Sequence, residues 1–511
     1  MNLFIKNTLA NFSNSFVTAG LGFISIPILI RLLGSESYGV VAIYATIQAA
    51  VLVFDLGWTA LNGRQIARRR SDSINGEEFE DYFKSVQLIF YTTVVLLLGL
   101  GFYFSEEFAG YLLTEKFDIT ELSYYLNIMF LTAGLRFVIT LYRSTLAAYE
   151  RQVEASVVNI FFITVRQLIP LLIMYVFSYG LEFYIWWQCA ATLLEYVYYT
   201  RTVTFSTGFS SYSFLLGASF NPLKQVYKFS GTIAITSGLW IITSQADRFL
   251  IVSNFSLTQF GQYVPIVTVA SLIQLFAHPI ATALRPKLNI AYQSTERAES
   301  DALLLTTTNM IACLTIPLAT VIYFGAETIV SLMLGVVEGS QLEVLAQLLR
   351  LLTISNMIVS VSAVLYYYQV ATGELRWHLI GAVAQPIILL PVLYILISQY
   401  GIIGAGYGFL VSSGLFFLFF IPIFKSLGFS KIFVWLSNLA VLVTFVWIET
   451  FFVNLFFDNL TLLDEREIIK LLLLGFNSAL ASLFGFVLVS SESYGFKAPI
   501  SAIRDEINRI R

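Results

Sequence analysis

The chain has 511 residues, of which 57% are hydrophobic and only 12% are charged, and its formal net charge is -3. Soluble domains usually carry about 25% charged residues, so this composition excludes a water-soluble fold. The small net charge says little about partners, because in a membrane protein the positions of Lys and Arg relative to the two faces matter more than their sum.

The first apolar run begins after Lys6 and continues to Arg31 without a small-residue cleavage site, which predicts an uncleaved first helix. Further apolar runs of about 20 residues recur along the whole chain, each long enough to cross the hydrocarbon core. The sequence therefore predicts an all-α polytopic membrane protein with about fourteen transmembrane helices. The predicted spans are 10–30, 39–60, 86–104, 123–142, 155–178, 181–200, 229–252, 260–284, 303–325, 344–370, 377–397, 401–424, 432–457 and 468–490.

Lys and Arg are distributed unequally between the two sides of this layout. With the N-terminus in the cytoplasm, each inner segment is basic, and the first inner loop holds Arg64, Arg68, Arg69 and Arg70. Cytoplasmic loops are typically enriched in these residues, so the asymmetry predicts that both termini are cytoplasmic. The outer segments hold only Arg31, Lys116, Arg350, Arg466 and Lys470.

Two turns of the chain resemble one another and indicate an internal repeat. The turn after the first span ends in Tyr38-Gly39, and the turn after the seventh span ends in Phe260-Gly261. Six helices separate the turns, and an even number preserves orientation, so the halves are predicted to be parallel repeats with a central substrate cavity. The predicted regions are a six-helix lobe at 1–222, a second at 223–426, and an appendage of two helices and a cytoplasmic tail at 427–511.

Polar residues in several spans recur at helical spacing. Exposing polar side chains to lipid costs free energy, so each stripe is predicted to lie on a helix face that is turned away from the lipid. A single Ser or Thr is explained by interhelical hydrogen bonding, whereas the set of four stripes favours a wet cavity. The stripes are Asn7, Asn11, Asn14, Thr18 and Ser25; Tyr44, Gln48, Asp55 and Thr59; Thr236, Thr243 and Asp247; and Ser271, Gln274, His278 and Thr282.

Three arginines lie within spans, where each needs a compensating partner. Arg166 lies in mid-span, and two interpretations stay open: a cavity cation that binds substrate, or one member of an ion pair. Arg136 lies nearer the cytoplasmic end, where its side chain could instead extend to water. Arg248 follows Asp247 directly, and neighbours on a helix point in different directions, so these two are expected to serve different partners.

Three acids also lie within spans: Asp55, Asp247 and Glu195. Each could bind a coupling proton or cation, or could neutralise an arginine. Cys189 and Cys313 lie in spans too and give neither a disulfide framework nor metal-ligand spacing. The chain has no phosphate-binding loop motif and no His-Glu-x-x-His motif, so ATP hydrolysis and zinc chemistry lack residues to carry them. We predict a protein that is not an enzyme, with no catalytic residues, metal or cofactor and no nucleic-acid partner.

Short motifs in both halves carry a family resemblance. They are LLGSESYG at 32–39, FDLG at 54–57, Asp247-Arg248, and FGQY at 260–263. In order and spacing the chain resembles the polysaccharide transporter family, the O-antigen and capsule repeat-unit flippases of the multidrug/oligosaccharidyl-lipid/polysaccharide exporter superfamily. The resemblance covers the first twelve spans. It implies two six-helix bundles around a cationic lumen, in the inner membrane of a bacterium.

The resemblance also implies the substrate, an undecaprenyl-diphosphate-linked oligosaccharide, with membrane lipids, a polysaccharide polymerase and a chain-length regulator as further partners. A diphosphate needs a positively charged path, and guanidinium groups can hold its oxygens bidentately. The substrate-binding candidates are Arg166, Arg136, Arg248, Asn14 and Gln48, and the ion-coupling candidates are Asp55, Asp247 and Glu195. Two alternatives are kept: a cation or drug exporter, which would need an acidic cavity, and a membrane enzyme of glycan assembly.

Overall fold

The computed structural model describes residues 3–70, 75–112, 117–207, 238–293 except 240, 297–335, 339–372, 375–418, 420–458 and six positions between 474 and 482. Every regular element in these ranges is helical. The helices of the first half are α1 (Leu3–Leu33), α2 (Ser35–Val51), α3 (Trp58–Arg70), α4 (Gly76–Tyr111), α5 (Ile119–Ala148), α6 (Gln152–Phe177), α7 (Leu181–Thr207) and α8 (241–254).

The remaining helices are α9 (Leu257–Gln293), α10 (Arg297–Phe324), α11 (Ala326–Leu334), α12 (Gly339–Thr372), α13 (Leu375–Tyr400), α14 (Ile403–Leu418), α15 (Ile421–Leu427) and α16 (Phe429–Asp458). In the described residues, 10 helices are long and apolar enough to cross a membrane. The predicted all-α membrane class is confirmed. The predicted span at 468–490 lies mostly outside the described residues, as does the first part of the span at 229–252.

The prediction of one unbroken helix over 39–60 is wrong. The α-helix ends at Val51, a 3-10 turn covers Leu52–Asp55, and a new helix begins at Trp58. Leu56 and Gly57 both adopt positive φ angles, so the backbone leaves the right-handed helical conformation at these two residues, between the 3-10 turn and the new helix. Hydropathy does not detect this break, because Leu52, Val53 and Phe54 continue the apolar run.

The predicted span at 401–424 is likewise divided. α14 ends at Leu418 and α15 begins at Ile421, with Pro422 in its first turn. Proline lacks a backbone N–H and is favoured at the start of a helix, so it suits the beginning of a second helix better than the middle of one.

The chain divides into two compact units, Met1–Val264 and Pro265–Arg511. In the first unit, α5 packs against α2, α3, α4 and α7, while α1 packs along α6. The core between α4 and α5 is aromatic: the ring of Phe90 stacks on that of Phe137 with centroids 4.6 Å apart. Offset stacking of this kind adds roughly 0.5–1.5 kcal/mol beyond the burial of surface. α5 is therefore the central helix of this unit.

In the second unit, α12 packs against α10 and α14, and α16 packs along α10. Trp435, Leu442 and Val446 of α16 are buried against α10 and α12. At one end of this contact Lys431 pairs with Asp301 at 3.0 Å, and Tyr368 donates a hydrogen bond to the same carboxylate. This ion pair and the apolar seam together attach α16 to the unit.

The two glycines of the repeated turns meet within the first unit. A Cβ atom at Gly39 would overlap the carbonyl oxygen of Leu257, and one at Gly261 would overlap the carbonyl oxygen of Ser35. The first turns of α2 and α9 therefore cross backbone to backbone. Only glycine permits this approach, which is how small residues let membrane helices pack closely.

Candidate functional site

A cavity of about 300 Å³ lies in the first unit, among α2, α5, α6 and α7. Its size is near the lower end of the range for small-molecule sites, roughly 300–1,000 Å³. Its polar lining consists of two arginines, a carboxylate, two amides and a threonine. The lining residues are Ala45, Gln48, Ala49, Leu52, Ala133, Arg136, Phe137, Ile139, Thr140, Arg143, Asn159 and Glu195.

Three neighbouring helices each contribute a pair of polar residues seven positions apart. The pairs are Arg136 and Arg143 on α5, Asn159 and Arg166 on α6, and Gln188 and Glu195 on α7. Seven residues are about two helical turns, so both members of each pair lie on one face. α2 contributes Gln48, and two alanines beside it leave room for the cavity.

Arg143 is held at the cavity wall by a chain of amides. Its Nη1 donates to Asn159 Oδ1 at 3.0 Å, and Asn159 Nδ2 donates to Asn14 Oδ1 at 2.6 Å. Asn11 similarly donates to Gln152 Oε1 at 2.9 Å. The polar stripe of α1 is thus an interhelical hydrogen-bonded seam with α6, and the cavity lining does not include Asn14.

Arg166 forms an ion pair with Glu195, and both side chains are almost fully buried, with exposures of 1% and 4%. Removing one partner of such a pair leaves an uncompensated charge, which costs about 3–5 kcal/mol. Glu195 lines the cavity, whereas Arg166 is not among the lining residues. Of the two interpretations of Arg166 left open by the sequence, the ion pair is the one present in this structure.

A proline explains how the backbone at Arg166 is held. Pro170 lies four residues later in α6 and has no N–H, so the Arg166 carbonyl loses its helical donor. Gln188 Nε2 donates to this carbonyl at 2.8 Å, and Trp187 Nε1 donates to the Val165 carbonyl at 2.9 Å. α7 therefore replaces the missing hydrogen bond and fixes α6 beside the cavity.

The cavity has an excess of positive charge. In the part of the chain that the structure describes, neither Arg136 nor Arg143 forms an ion pair. The single carboxylate in the lining, that of Glu195, is already paired with Arg166. Two guanidinium groups thus face the cavity without a carboxylate to neutralise them.

The other predicted residues lie elsewhere. Asp55 accepts hydrogen bonds from the backbone N–H and the hydroxyl of Thr59, at 3.2 and 2.8 Å, and so caps the first turn of α3. Its predicted place on a continuous polar face of span 2 is wrong, because the helix ends before it.

Asp247 and Arg248 lie on α8, away from the cavity lining. Asp247 is buried and accepts a hydrogen bond from the Tyr263 hydroxyl through Oδ2. Its Oδ1 has no hydrogen-bond partner. Arg248 donates to Gln245 at 3.0 Å, so the two neighbours have different partners. Of the eight predicted residues, the lining contains Gln48, Arg136 and Glu195.

Arg143 and Asn159 were not among the predicted site residues, yet both line the cavity. The signal was present, because Arg143 follows Arg136 by seven residues and Asn159 precedes Arg166 by seven. Arg143 falls at the predicted end of a span, where basic residues are ordinarily assigned to the loop.

Residues 4–291 match the family model described as polysaccharide biosynthesis protein. No curated protein sequence matches the chain. Among solved structures, the lipid II flippase MurJ in an inward closed conformation is similar, with a TM-score of 0.68 and 14% identity over 95% of this chain and 98% of that one.

Multidrug transporters are also similar in fold. An inward-facing MATE family transporter of the MOP superfamily matches with a TM-score of 0.61 and 13% identity, over 82% of this chain and 95% of that one. A Vibrio cholerae MATE transporter, VcmN in mutant form, matches with 0.57 and 16%, over 83% and 96%. The chain therefore belongs to the polysaccharide biosynthesis protein family and has the transporter fold shared by MurJ and the MATE proteins.

Proposed function

We propose that this protein is a flippase that moves an undecaprenyl-diphosphate-linked oligosaccharide from the cytoplasmic to the outer leaflet by alternating access. The observation that carries the proposal is the pair of arginines, Arg136 and Arg143, that face one cavity without a neutralising carboxylate. Leaving guanidinium groups uncompensated inside a membrane protein is costly. An anionic substrate group would supply the missing charge.

The chemistry of the cavity suits a diphosphate joined to a sugar. Guanidinium groups bind phosphate oxygens bidentately, and each such hydrogen bond is stronger than one between neutral groups. Gln48 and Asn159 add amide groups that can hydrogen-bond to sugar hydroxyls. The lipid tail is apolar and can remain in the bilayer, so only the head group needs a polar path.

The two alternatives fit the cavity less well. An exporter of cationic drugs would need free carboxylates, and the one acid in this lining is paired with Arg166. A glycan-assembly enzyme would convert a lipid-linked sugar in detergent, so recovery of the unchanged lipid-linked sugar in that assay would support transport. As a flippase the protein would work in a bacterial inner membrane with both termini cytoplasmic, beside a polymerase and a chain-length regulator that use the exported repeat unit.

Removal of the two cavity arginines tests the proposal. In proteoliposomes with a fluorescent lipid-linked oligosaccharide in one leaflet, we expect Arg143→Gln and Arg136→Gln each to slow flipping by about tenfold or more. Hydrogen bonds to charged groups contribute roughly 1.5–3 kcal/mol, and 1.4 kcal/mol is about a tenfold change. Arg143→Lys should restore part of the rate, because the charge returns without the planar fork.

A matched control is Arg350→Gln in the second unit. This removes a guanidinium that pairs with Glu327 at 2.8 Å, lies over the Tyr323 ring and is not part of the cavity lining. Its flipping rate should equal that of the unmodified protein. Unchanged flipping by an Arg136→Gln/Arg143→Gln double variant would overturn the proposal. Export of a cationic dye by the unmodified protein, without flipping of the lipid, would favour the drug exporter.

A further inference from the structure

We propose that Glu195 neutralises Arg166 when no substrate is bound, and that the diphosphate of the substrate displaces the Glu195 carboxylate and becomes the partner of Arg166. This inference rests on the proposed flippase function and extends it to a third arginine. It makes Glu195 a positioning residue that sets how tightly the substrate head group is held.

The relative positions of the pair carry the first step. Glu195 lies in the cavity lining, while its ion-pair partner Arg166 is not among the lining residues. A diphosphate bound by Arg136 and Arg143 would therefore lie beside the Glu195 carboxylate. Like charges at such short range repel, and in a low-dielectric interior the repulsion is much larger than in water.

The second step concerns what Arg166 requires. A buried guanidinium without an anion is strongly unfavourable, so a transport cycle that keeps Arg166 paired is favoured over one that leaves it unpaired. A diphosphate has oxygens enough to bind three guanidinium groups, and it can replace the carboxylate as the partner of Arg166. Arg166 therefore has an anionic partner both before and after the exchange. An arginine without a carboxylate beside it would have such a partner only after the substrate binds.

The third step is that the backbone at Arg166 is fixed by a contact that does not involve the Glu195 carboxylate. Gln188, two turns before Glu195 on α7, donates to the Arg166 carbonyl that Pro170 leaves without a helical donor. The backbone of α6 is thus anchored by Gln188, and this anchor does not depend on the Glu195 carboxylate. Glu195 can withdraw while Arg166 stays in place.

The consequence is competition for Arg166. Part of the binding free energy of the substrate is used to displace Glu195, so the affinity is lower than the three arginines alone would give. A carrier benefits from this, because a ligand that is held too tightly in one state is released slowly. Removing the competitor should therefore tighten binding and slow turnover together.

The test is equilibrium binding of fluorescent undecaprenyl diphosphate to the full chain in lipid nanodiscs, beside flipping in proteoliposomes. We expect Glu195→Gln to lower the Kd by about tenfold and to slow flipping. In an Arg166→Gln/Glu195→Gln double variant the gain in affinity should disappear. A purely structural role for the pair would leave the Kd of Glu195→Gln unchanged and would only lower the thermal unfolding midpoint.

Two further variants keep the inference falsifiable. Glu195→Asp keeps the charge but withdraws the carboxylate by one methylene, so its Kd should lie between those of the unmodified protein and Glu195→Gln, even if the latter fails to accumulate. Asp301→Asn breaks the ion pair with Lys431 in the second unit and should leave the Kd unchanged.

Failure of the Glu195 proposal and failure of the flippase proposal give different results. If the unmodified protein binds and flips the lipid but neither Glu195 variant binds more tightly, the proposed displacement of Glu195 is overturned and the flippase function stands. If the unmodified protein neither binds nor flips the lipid, both proposals fall.

Discussion

Arg143 and Arg166 carry the same side chain, but their neighbours give them different roles. Arg143 is held by a neutral amide, that of Asn159, and keeps its charge available to the cavity. Arg166 is held by the Glu195 carboxylate and is not among the cavity-lining residues. The cost of burying a charge decides which role each can have, because an unpaired guanidinium is more unfavourable the more deeply it is buried.

Asp247 is the strongest remaining candidate for ion coupling. Asp55 is used as a helix cap and Glu195 pairs with Arg166, whereas Asp247 is buried with one carboxylate oxygen that has no hydrogen-bond partner. An ion that drives transport must bind one state better than the other. A buried carboxylate that accepts one hydrogen bond from Tyr263 has a free oxygen for such an ion.

The prediction is that Asp247→Asn abolishes the dependence of flipping on an imposed proton or sodium gradient, while the Kd for undecaprenyl diphosphate stays within about twofold of the unmodified value. Asp301→Asn, which removes a carboxylate paired with Lys431, should keep the gradient dependence. The measurement is flipping in proteoliposomes with and without each gradient. Flipping by the unmodified protein that ignores both gradients would end the coupling hypothesis and leave Asp247 as a structural acceptor for Tyr263.

At the scale of helices, the crossing of α2 and α9 gives a sharp test of packing. We expect Gly261→Ala and Gly39→Ala each to destabilise the protein by about 1–3 kcal/mol, because the added methyl group would overlap a backbone carbonyl and the backbone would have to shift. The measurement is the thermal unfolding midpoint of the purified protein.

Gly99→Ala is the matched control for this crossing. Gly99 is in α4, and nothing lies within 4 Å of a Cβ built there. Alanine favours a helix over glycine, so the midpoint should stay the same or rise slightly. Equal midpoints for Gly261→Ala and the unmodified protein would show that the two backbones do not cross closely in solution.

Hydropathy and spacing predicted the helices well and their interruptions poorly. The bounds of α5 and α7 contain the predicted spans, because long apolar runs have no other stable form in lipid. The break after Val51 depends on the positive φ angles at Leu56 and Gly57, and a hydropathy window averages over such local geometry. The aromatic–glycine pairs, by contrast, marked two helix starts that meet in the structure.

Only part of the candidate site could be predicted, because the sequence describes each helix separately. Spacing of seven residues places side chains on one face of their own helix, and it relates Arg136 to Arg143, which both line the cavity. It cannot say which helices are neighbours, so the pairing of Arg166 with Glu195 rather than with Asp55 or Asp247 was not derivable from a single sequence. Packing of α5, α6 and α7 supplies that information.

For the whole molecule, the distribution of Lys and Arg predicts the orientation in the membrane. α4 has 36 residues and is therefore roughly 54 Å long, well beyond the hydrocarbon core of about 30 Å. We therefore expect its two ends to lie on opposite sides of the bilayer. Both Asn75, which caps α4, and Asp118, which caps α5, accept a hydrogen bond from a first-turn N–H at 2.7 Å, so the two positions form a matched pair for labelling.

The prediction is that Asn75→Cys reacts with a membrane-impermeant maleimide only when the cytoplasmic face is accessible, and that Asp118→Cys reacts only from the outside. The reason is that the stretch 61–75 holds four arginines, while the stretch 112–118 holds only Lys116. Each substitution removes an equivalent helix cap, so any loss of stability should be similar. The native Cys189 and Cys313 are buried and should give little background. Labelling of both positions from one side would contradict a single crossing by α4, and labelling from exchanged sides would reverse the orientation and with it the direction of transport.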